Sequence, residues 1–324
     1  MSELRFGQAI NKALADAMAA DETVILFGED VAEPGGPFGV TRGLRKQFGE
    51  LRVRDTPISE GVIAGAAVGA ALSGLRPVVE IMFMDFTTLA MDALVNQAAK
   101  AHFMFGGQVS VPLVLRTPHG GGLGAGPQHS QCLEAWFAHV PGLKVVCPSM
   151  PADAYGLLRA AIEDPDPVLF IENKALYALK GEVADDAGLE PLGIARTVRA
   201  GGDVTIVSYG ATVAAALAAA ETLRTEGIEA EVIDLRTLQP WDQQAVLSSL
   251  ARTHHLVVAH EAVEAFGIGA EIAARMTDIG FYELDGPIAR VGAPFAPVPF
   301  AKPLEAAYLP GPDDIVRAVR RSME

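Results

Sequence analysis

Two carboxylates and an aromatic ring follow predicted strands in the first third of the chain. Glu29 comes after a short apolar run at residues 23–27, and Glu60 comes after an extended run at residues 51–58. Phe86 lies just beyond a third apolar run. The carboxyl ends of parallel strands meet at one edge of a sheet, where ligands bind. A carboxylate near an aromatic ring suits a flat, nitrogenous, cationic ring, because the acid bonds a ring nitrogen and the aromatic side chain stacks on its face.

Glu60 stands at the start of a helix predicted over residues 59–75. An acid in a first helical turn is also favoured by the helix dipole alone, so Glu60 by itself does not indicate catalysis. Glycines at positions 61, 65 and 69 recur every four residues. This spacing predicts close backbone packing, either inside the fold or across a subunit interface.

A glycine-rich loop, G-G-G-L-G-A-G at residues 120–126, follows a predicted strand and precedes a helix predicted to start near His129. A dinucleotide-binding fingerprint has this context, but here the loop lies on an internal strand and no acid ends the next strand. The loop also lacks the G-K-[ST] sequence that a phosphate-binding loop contains, so that function is doubtful as well. We therefore interpret the loop as a segment that lets the backbone approach another group closely. The sequence supports a structural role and a catalytic role for His129 equally.

The remaining histidines give weaker signals. His260 and Glu261 end a predicted strand in the second half of the chain, where open α/β sheets bind ligands, so they form a second and weaker candidate site. The other histidines considered have no partner pattern and are interpreted as solvated or packed. They are His102, His139, His254 and His255.

Strands and helices alternate along the chain, which predicts an α/β fold of two domains, each a mostly parallel sheet flanked by helices. Predicted strands lie at 23–27, 51–58, 77–83, 111–117, 144–147, 167–172, 204–208, 228–235, 256–260 and 288–292. Predicted helices lie at 5–20, 59–75, 86–101, 152–162, 211–226, 241–253, 267–278 and 312–323. A polar stretch at residues 180–200 is interpreted as the interdomain linker. The predicted domains are residues 1–186 and 187–324.

Composition excludes several classes of protein. The chain has 25 Lys and Arg against 40 Asp and Glu, a net charge of −15, which disfavours nucleic acid as a partner. Cys132 and Cys147 form no close-spaced metal motif, so we interpret them as core thiols in a reducing compartment. The beginning MSELRFGQAI lacks the order of a signal peptide, and the apolar stretch at 66–75 is too short to span a bilayer. These features predict a cytoplasmic protein without a membrane partner.

A series of motifs runs through the chain in a fixed order. They are G-E-D-V, G-G-P-F-G-V-T-R-G-L, R-V-R-D-T-P-I-S-E, D-F, P-Q-H-S-Q, P-G-L-K-V-V, H-E-A-V-E-A-F-G-I-G-A-E-I-A and V-P-F-A-K-P-L-E. With them the chain resembles the beta subunit of the first component of 2-oxo acid dehydrogenase complexes. That subunit has a transketolase-like pyrimidine-binding domain and a transketolase-type C-terminal domain. Pyruvate, branched-chain 2-oxo acid and acetoin dehydrogenases share it.

The resemblance implies an enzyme that uses thiamine diphosphate and magnesium to decarboxylate a 2-oxo acid and pass the acyl group to lipoyl groups. It implies that Glu60 hydrogen-bonds the aminopyrimidine ring nitrogen and so promotes loss of the thiazolium proton. Phe86 would stack on the pyrimidine, and His129 would orient the 2-oxo acid or the incoming lipoyl group. Glu29 would join a proton relay towards a second active site, although this chain has Leu89 where some members carry an acid.

The resemblance also implies that the chain is half of an active site. The diphosphate motif of such enzymes begins G-D-G and ends in Asn, but the only asparagines here are Asn11, Asn96 and Asn173, and no G-D-G occurs. Magnesium would therefore be held mainly by an alpha subunit, in a two-alpha, two-beta tetramer with a beta–beta dimer. A lipoyl acyltransferase core is the further partner.

In some members, backbone carbonyls also hold a potassium ion. By position these carbonyls would belong to Leu113, Ala161, Ile162 and Asp164.

The hypothesis that follows is the beta subunit of a thiamine-diphosphate-dependent 2-oxo acid dehydrogenase that prefers pyruvate. Acetoin and branched-chain 2-oxo acids stay open as substrates, because the loop before His129 differs among members. A hypothesis of another class is a non-catalytic assembly subunit that docks the alpha subunit to the core. A third, a free-standing transketolase-like enzyme, would bind the cofactor tightly by itself.

Overall fold

A computed structural model describes residues 2–184 and 187–324. The chain divides into two compact units, both discontinuous in sequence. The first comprises Met1–His119 and Trp136–Leu192, and the second comprises Gly120–Ala135 and Gly193–Glu324. The predicted α/β class is confirmed, since each unit contains a mostly parallel sheet with helices. The predicted domain boundary after residue 186 lies outside the described residues.

The first unit is built on a sheet of short, buried strands. Its strands are β1 (Ser2–Arg5), β2 (Val24–Gly28), β3 (Val53–Asp55), β4 (Arg76–Glu80), β5 (Val114–His119), β6 (Lys144–Val146), β7 (Val168–Asn173) and β8 (Lys180–Val183). Within the unit, six of them run parallel in the order β6-β7-β5-β4-β2-β3, while β1 pairs with β8 antiparallel. Every residue of β7 is buried, as burial of both sheet faces requires.

The first unit has six α-helices among the described residues. They are α1 (Phe6–Ala20), α2 (Leu44–Phe48), α3 (Glu60–Leu72), α4 (Ala99–Met104), α5 (Glu134–Ala138, whose first two residues belong to the second unit) and α6 (Pro151–Glu163). The apolar face of α1 is buried throughout, at Phe6, Ile10, Ala13, Leu14 and Ala17. The Gln8 side chain closes the start of α1 by accepting a hydrogen bond from the Arg5 N–H at 2.9 Å. Tyr155 of α6 donates to Asp16 of α1 at 2.8 Å, which ties these two helices together.

The second unit repeats this architecture. Its strands are β9 (Arg196–Arg199), β10 (Val204–Ser208), β11 (Ala230–Asp234), β12 (Thr237–Gln239), β13 (Leu256–Val263) and β14 (Ala289–Ala293). Its other helices are α7 (Thr212–Arg224), α8 (Gln243–Thr253), α9 (Ile268–Ile279), α10 (Lys302–Tyr308) and α11 (Pro312–Ser322). The sheet order is β14-β13-β10-β11-β9, with β9 antiparallel to β11 and the other pairs parallel. Alanines of α7 are buried together with Ile315 and Val319 of α11, so small side chains let α7 lie close to its neighbours.

The linker predicted at residues 180–200 is wrong at both of its ends. Lys180–Val183 is β8, and Arg196–Arg199 is the edge strand β9. Both strands are half-exposed and carry charged residues, so their composition resembles that of a loop. Their strand character comes from pairing with distant segments, which a local pattern does not contain.

Two predicted elements have different bounds or geometry. The strand predicted at 51–58 shortens to Val53–Asp55, because Pro57 has no N–H to contribute to a ladder. The helix predicted at 86–101 is a composite: Met84–Ala90 is a 3₁₀ helix, Asp92–Ala98 is a π-helix, and α4 completes it. π-Helical turns often mark functional sites.

No helix in the described part of the chain is long and apolar enough to cross a membrane.

Candidate functional site

The carboxyl ends of neighbouring strands bring charged residues to one edge of the first sheet. In the parallel register Gly28 of β2 lies beside Asp55 of β3 on one side and Glu80 of β4 on the other. Glu80 in turn lies beside Arg116 of β5. Glu29 directly follows β2, so the sheet itself carries this carboxylate to the edge that binds ligands in such folds.

Arg116 is the centre of a buried ion network at this edge. Its Nε and Nη2 donate to both oxygens of Glu172 at 2.7 and 2.9 Å, and its Nη1 donates to Glu80 at 2.6 Å. The Tyr177 hydroxyl donates to Glu172 at 2.7 Å. The three charged side chains are almost completely buried, and burial raises the pKa of Glu172. This network was not predicted from the sequence. The one signal for it in the sequence is that charged residues occur within otherwise apolar strands, because a buried charge requires a partner.

Glu29 and Glu60 lie close enough to repel each other. Glu29 is 3% exposed, and its carboxylate accepts a hydrogen bond from the Ser59 backbone N–H. Its Oε1 has no hydrogen-bond partner among the described residues. Burial, followed by the charge of Glu60, raises the pKa of Glu29 to about 7. Near neutral pH this carboxyl group is therefore poised to hold or release a proton.

Glu60 is the first residue of α3 and is 5% exposed. The start of α3 lies tightly against the 3₁₀ segment that carries Phe86: a Cβ atom on Gly61 would lie 3.1 Å from the Leu89 carbonyl oxygen. Phe86 is half-buried and meets Phe83 edge to face at 6.1 Å between ring centroids. The first unit thus brings a buried carboxylate and an aromatic segment together.

Replacing Glu29 by Gln is expected to remove a pH dependence of stability. The pKa of Glu29 in the folded chain, about 7, lies above 4.5, the ordinary value for a glutamate side chain. The bound proton contributes its full stability below the pKa of the unfolded chain. This stability is lost as the pH rises through the pKa of the folded chain. The melting temperature of the variant should therefore exceed that of the wild type by an amount that grows from about pH 5 to about pH 8. Exposed Glu22→Gln is the control; parallel curves for wild type and Glu29→Gln would contradict the assignment.

His129 lies in the second unit, and the prediction of a helix starting there is wrong. The His129 N–H closes a turn on the Gly126 carbonyl at 3.3 Å, and the helix begins only at Glu134. Gly124 and Gly126 have φ of 69° and 75°, in the left-handed region, so the loop enters this segment in a conformation that does not continue into a helix. His129 is half-buried.

The glycine loop before His129 is bonded to carboxylates of its own unit. The N–H groups of Gly122 and Gly124 donate to the two oxygens of Glu305 at 2.8 and 2.9 Å. The Gly121 N–H donates to Glu261 Oε1 at 2.6 Å. These N–H groups are therefore engaged by protein carboxylates, which argues against a dinucleotide or phosphate site at this loop.

A cavity of about 530 Å³ lies beside this loop in the second unit. Its walls include Gln128, Cys132, Glu261, Phe295 and Tyr308. Burial, and then the nearby Cys132 and Glu261, raise the pKa of Tyr308 to about 12. The phenol therefore stays protonated at neutral pH and can donate a hydrogen bond.

His260, the weaker candidate, is a packed core residue. It is fully buried, its ring stacks on Tyr209 at 5.9 Å, and its Nδ1 lies 3.1 Å from the Ala262 carbonyl oxygen. Cβ atoms on Gly267 or Gly269 would lie within 2.8 Å of its ring, so these glycines make room for it. Burial lowers the pKa of His260 and favours its neutral form. Its neighbour Glu261 is the residue that reaches the loop.

The carbonyls proposed for potassium have other partners. Arg76 Nη1 donates to the Ile162 carbonyl at 2.8 Å and lies 3.5 Å from the Asp164 carbonyl. The Leu113 carbonyl accepts from the Val168 N–H at 2.8 Å. A carbonyl oxygen has two lone pairs, so these oxygens keep capacity for a cation, but a guanidinium already lies beside two of them.

The sequence matches two protein families over most of its length. Residues 2–180 match the transketolase pyrimidine binding domain, and residues 193–315 match the transketolase C-terminal domain.

Two curated relatives are similar over almost the whole chain. The chain is 47% identical over 324 residues to the mitochondrial pyruvate dehydrogenase E1 component subunit beta-2 of Oryza sativa subsp. japonica, covering 99% of this chain and 86% of that protein. It is 49% identical over 325 residues to the acetoin:2,6-dichlorophenolindophenol oxidoreductase subunit beta of Bacillus subtilis (strain 168), covering 97% of this chain and 95% of that protein.

A solved structure shares the fold. The inactive beta4 tetramer of a split gene transketolase matches with a TM-score of 0.82 and 23% identity, over 99% of this chain and 98% of that chain. At this identity the similarity concerns the fold alone.

Proposed function

The chain belongs to the family of pyruvate dehydrogenase and acetoin oxidoreductase beta subunits, with transketolase-type domains, and on this premise we propose that it is the beta subunit of a 2-oxo acid dehydrogenase that prefers pyruvate. The observation that carries the proposal is the buried pair Glu29 and Glu60 at the edge of the first sheet. Residues 1–186 would serve as the pyrimidine-binding domain and 187–324 as the C-terminal domain.

In the proposal the first unit binds the pyrimidine ring of thiamine diphosphate. Glu60 is buried at a helix start, and the half-buried ring of Phe86 lies on the segment that packs against that helix. In the proposal Glu60 holds the ring nitrogen and Phe86 covers the ring face. The cofactor, when bound, supplies a nucleophilic thiazolium carbon that adds to the 2-oxo group.

Glu29 has the properties of a proton reservoir for Glu60. Its raised pKa, about 7, lets it exchange a proton near neutral pH, and Glu60 is a source of the repulsion that raises it. In the proposal Glu29 returns the proton that Glu60 loses. His129, on the loop of the second unit, would orient the 2-oxo acid or the incoming acyl acceptor.

An alpha subunit is required in this proposal, because the sequence has no G-D-G and therefore lacks the usual magnesium and diphosphate motif. The exposed face of α3 supports a partner interface. Val62 on this face is 68% exposed, and Cβ atoms on Gly65 and Gly69 would meet nothing within 4 Å. A backbone surface of this kind allows another chain to approach closely. We propose a two-alpha, two-beta tetramer with a beta–beta contact.

Gly65→Leu is expected to weaken assembly without destabilising the chain itself. The side chain would point into open space, and Leu favours a helix by roughly 1 kcal/mol over Gly. We expect the dissociation constant of the alpha–beta assembly to rise about tenfold or more, since a displaced interface loses on the order of 1.4 kcal/mol or more. Light scattering after size exclusion measures it. The control is Ala218→Leu, which lies on the exposed side of α7; equal assembly by both variants would count against the α3 interface.

The proposal also includes the metal ions that the enzyme binds and the cellular compartment in which it acts. Magnesium would be held mainly by the alpha subunit. The carbonyls of Leu113, Ala161, Ile162 and Asp164 would hold potassium, but the Arg76 guanidinium already donates to two of them and repels a second cation there. We propose a cytoplasmic enzyme that docks to a lipoyl acyltransferase core. Of the two relatives, the Oryza protein is mitochondrial and the Bacillus protein is bacterial.

Acetoin is the second candidate substrate, because the Bacillus relative is an acetoin oxidoreductase subunit at 49% identity. The test is co-expression with the alpha subunit encoded by the adjacent open reading frame. Turnover of pyruvate, branched-chain 2-oxo acids and acetoin is then measured with an artificial electron acceptor. Turnover of pyruvate above the others supports the proposal. Preferred turnover of acetoin would move the assignment to that substrate, and inactivity on all of them would favour the non-catalytic assembly subunit.

Binding of thiamine diphosphate distinguishes the third hypothesis. Calorimetry with magnesium should show weak or no binding by this chain alone, because its sequence lacks the diphosphate motif. Tight binding by the isolated chain would indicate a free-standing transketolase-like enzyme instead.

A further inference from the structure

The loop at residues 120–126 has the backbone of an anion-binding site. Gly120, Gly122, Gly124 and Gly126 all have positive φ, between 69° and 91°. Alternation of such residues with ordinary ones turns successive N–H groups toward one side, and concave surfaces of this kind bind anions. The loop is also poor in side chains that could fix it, so its conformation depends on what those N–H groups bind.

The anions that this loop binds are carboxylates of the same unit. Glu305 of α10 accepts one hydrogen bond on each oxygen, from Gly122 at 2.8 Å and from Gly124 at 2.9 Å. Glu305 is only 3% exposed, so these bonds are shielded from water. Glu261 of β13 accepts from Gly121 at 2.6 Å. Bonds from N–H groups to ionised carboxylates are among the stronger hydrogen bonds in proteins.

The segment around Glu305 is also shaped to the loop. A Cβ atom on Gly126 would lie 2.2 Å from the Phe300 ring, and one on Gly121 would lie 3.1 Å from the Leu309 side chain. The loop lies this close to the segment because it has no side chains at these positions. The V-P-F-A-K-P-L-E motif, which contains Phe300 and Glu305, thereby acquires a physical role.

Holding the loop also holds His129. The His129 N–H closes a turn on the Gly126 carbonyl at 3.3 Å, directly after the last glycine of the loop. A displacement of the loop would therefore move the His129 ring with it. Because reacting groups must be placed to within a fraction of an ångström, a small displacement has a large effect on rate.

We infer that Glu305, assisted by Glu261, is a positioning residue that fills the anion site of the glycine loop and thereby places His129 for the 2-oxo acid or the acyl acceptor. The inference rests on the proposed function, in which His129 contacts that substrate. The loop N–H groups bonded to Glu261 and Glu305 are not available to the substrate carboxylate, so recognition of the substrate by this segment comes from side chains such as His129.

The test uses the assembled alpha–beta protein with Glu305→Ala, Glu305→Gln and, as a matched control, exposed Glu271→Gln on α9. In Glu305→Ala, amide exchange at residues 120–126 should be about tenfold faster or more. The kcat/KM for the 2-oxo acid should fall about 10- to 100-fold, while the dissociation constant for thiamine diphosphate stays unchanged. Glu305→Gln keeps one acceptor oxygen and should lie between Glu305→Ala and the wild type.

Added acetate provides a readout that a purely structural role would not move. A free carboxylate can occupy the emptied site in Glu305→Ala and should restore part of kcat/KM, with no effect on the wild type. Unchanged exchange in both Glu305 variants would overturn the inference, as would faster exchange with an unchanged kcat/KM. If the wild-type assembly turned over no substrate, the proposed function would fail, and exchange alone would decide whether Glu305 holds the loop.

Discussion

Glu60→Gln in the assembled alpha–beta protein is expected to lower kcat by about 100-fold or more, the range that loss of a positioned acid–base group produces. Glu60 is buried at the start of α3, beside Glu29 and against the segment of Phe86, where it would hold the pyrimidine ring nitrogen. An amide has nearly the same shape but cannot share a proton in this way. The loss should therefore appear in kcat at saturating 2-oxo acid.

Assembly and folding must stay intact for that result to be meaningful. The melting temperature and the mass of the assembly should match those of the wild type, because Gln fills the same volume. Glu33→Gln serves as a control, since Glu33 is an exposed residue in a surface ion pair with Arg45. An unchanged kcat in an intact Glu60→Gln assembly would favour the non-catalytic role.

Arg116→Met should destabilise the first unit by about 3–5 kcal/mol, the cost of removing one partner from a buried ion network. The variant would leave Glu80 and Glu172 buried without the guanidinium that now donates to both. The loss should become smaller toward pH 5, because the orphaned carboxyl groups can then take up protons. Urea unfolding followed by circular dichroism at two pH values measures both effects.

Arg45→Met is the matched control for this substitution. Arg45 makes a surface ion pair with Glu33, and such pairs contribute no more than about 1 kcal/mol. Equal effects of the two substitutions would show that burial of the Arg116 network does not matter to stability.

The elements that carry Glu29 and Glu60 could be predicted because their signals are local. The apolar runs before each residue are short and end in turns, and the small residues of α3 follow a helical period over the next twelve positions. The alternation of such runs with helices was sufficient for the two-sheet α/β fold, which is confirmed.

The contacts that could not be predicted join residues that are far apart in the chain. Arg116 contacts Glu80 and Glu172 only because β5 lies between β4 and β7. The sequence of a single segment does not determine this strand order. Glu305 reaches Gly122 across a separation of 183 residues. A local pattern contains neither distance nor register, so it could identify the glycine loop but not its partner.

The helix predicted at His129 failed for a related reason. A glycine loop followed by a polar segment is typical of a strand–loop–helix unit, and the pattern P-Q-H-S-Q contains no strong helix breaker after the proline. The loop is bonded to Glu305 and Glu261 with positive φ at alternate glycines. Tertiary bonds thus determined the backbone here and overrode the local preference.

In the proposed enzyme, Glu60 of this chain activates a cofactor that is held together with an alpha subunit. Deuterium exchange at the thiazolium carbon of bound thiamine diphosphate, followed by quenched-flow NMR, tests it before any substrate is added. The wild-type assembly should exchange this proton at least about 100-fold faster than the Glu60→Gln assembly, in which the acid–base group is lost. Equal exchange rates in two intact, cofactor-loaded assemblies would contradict the account.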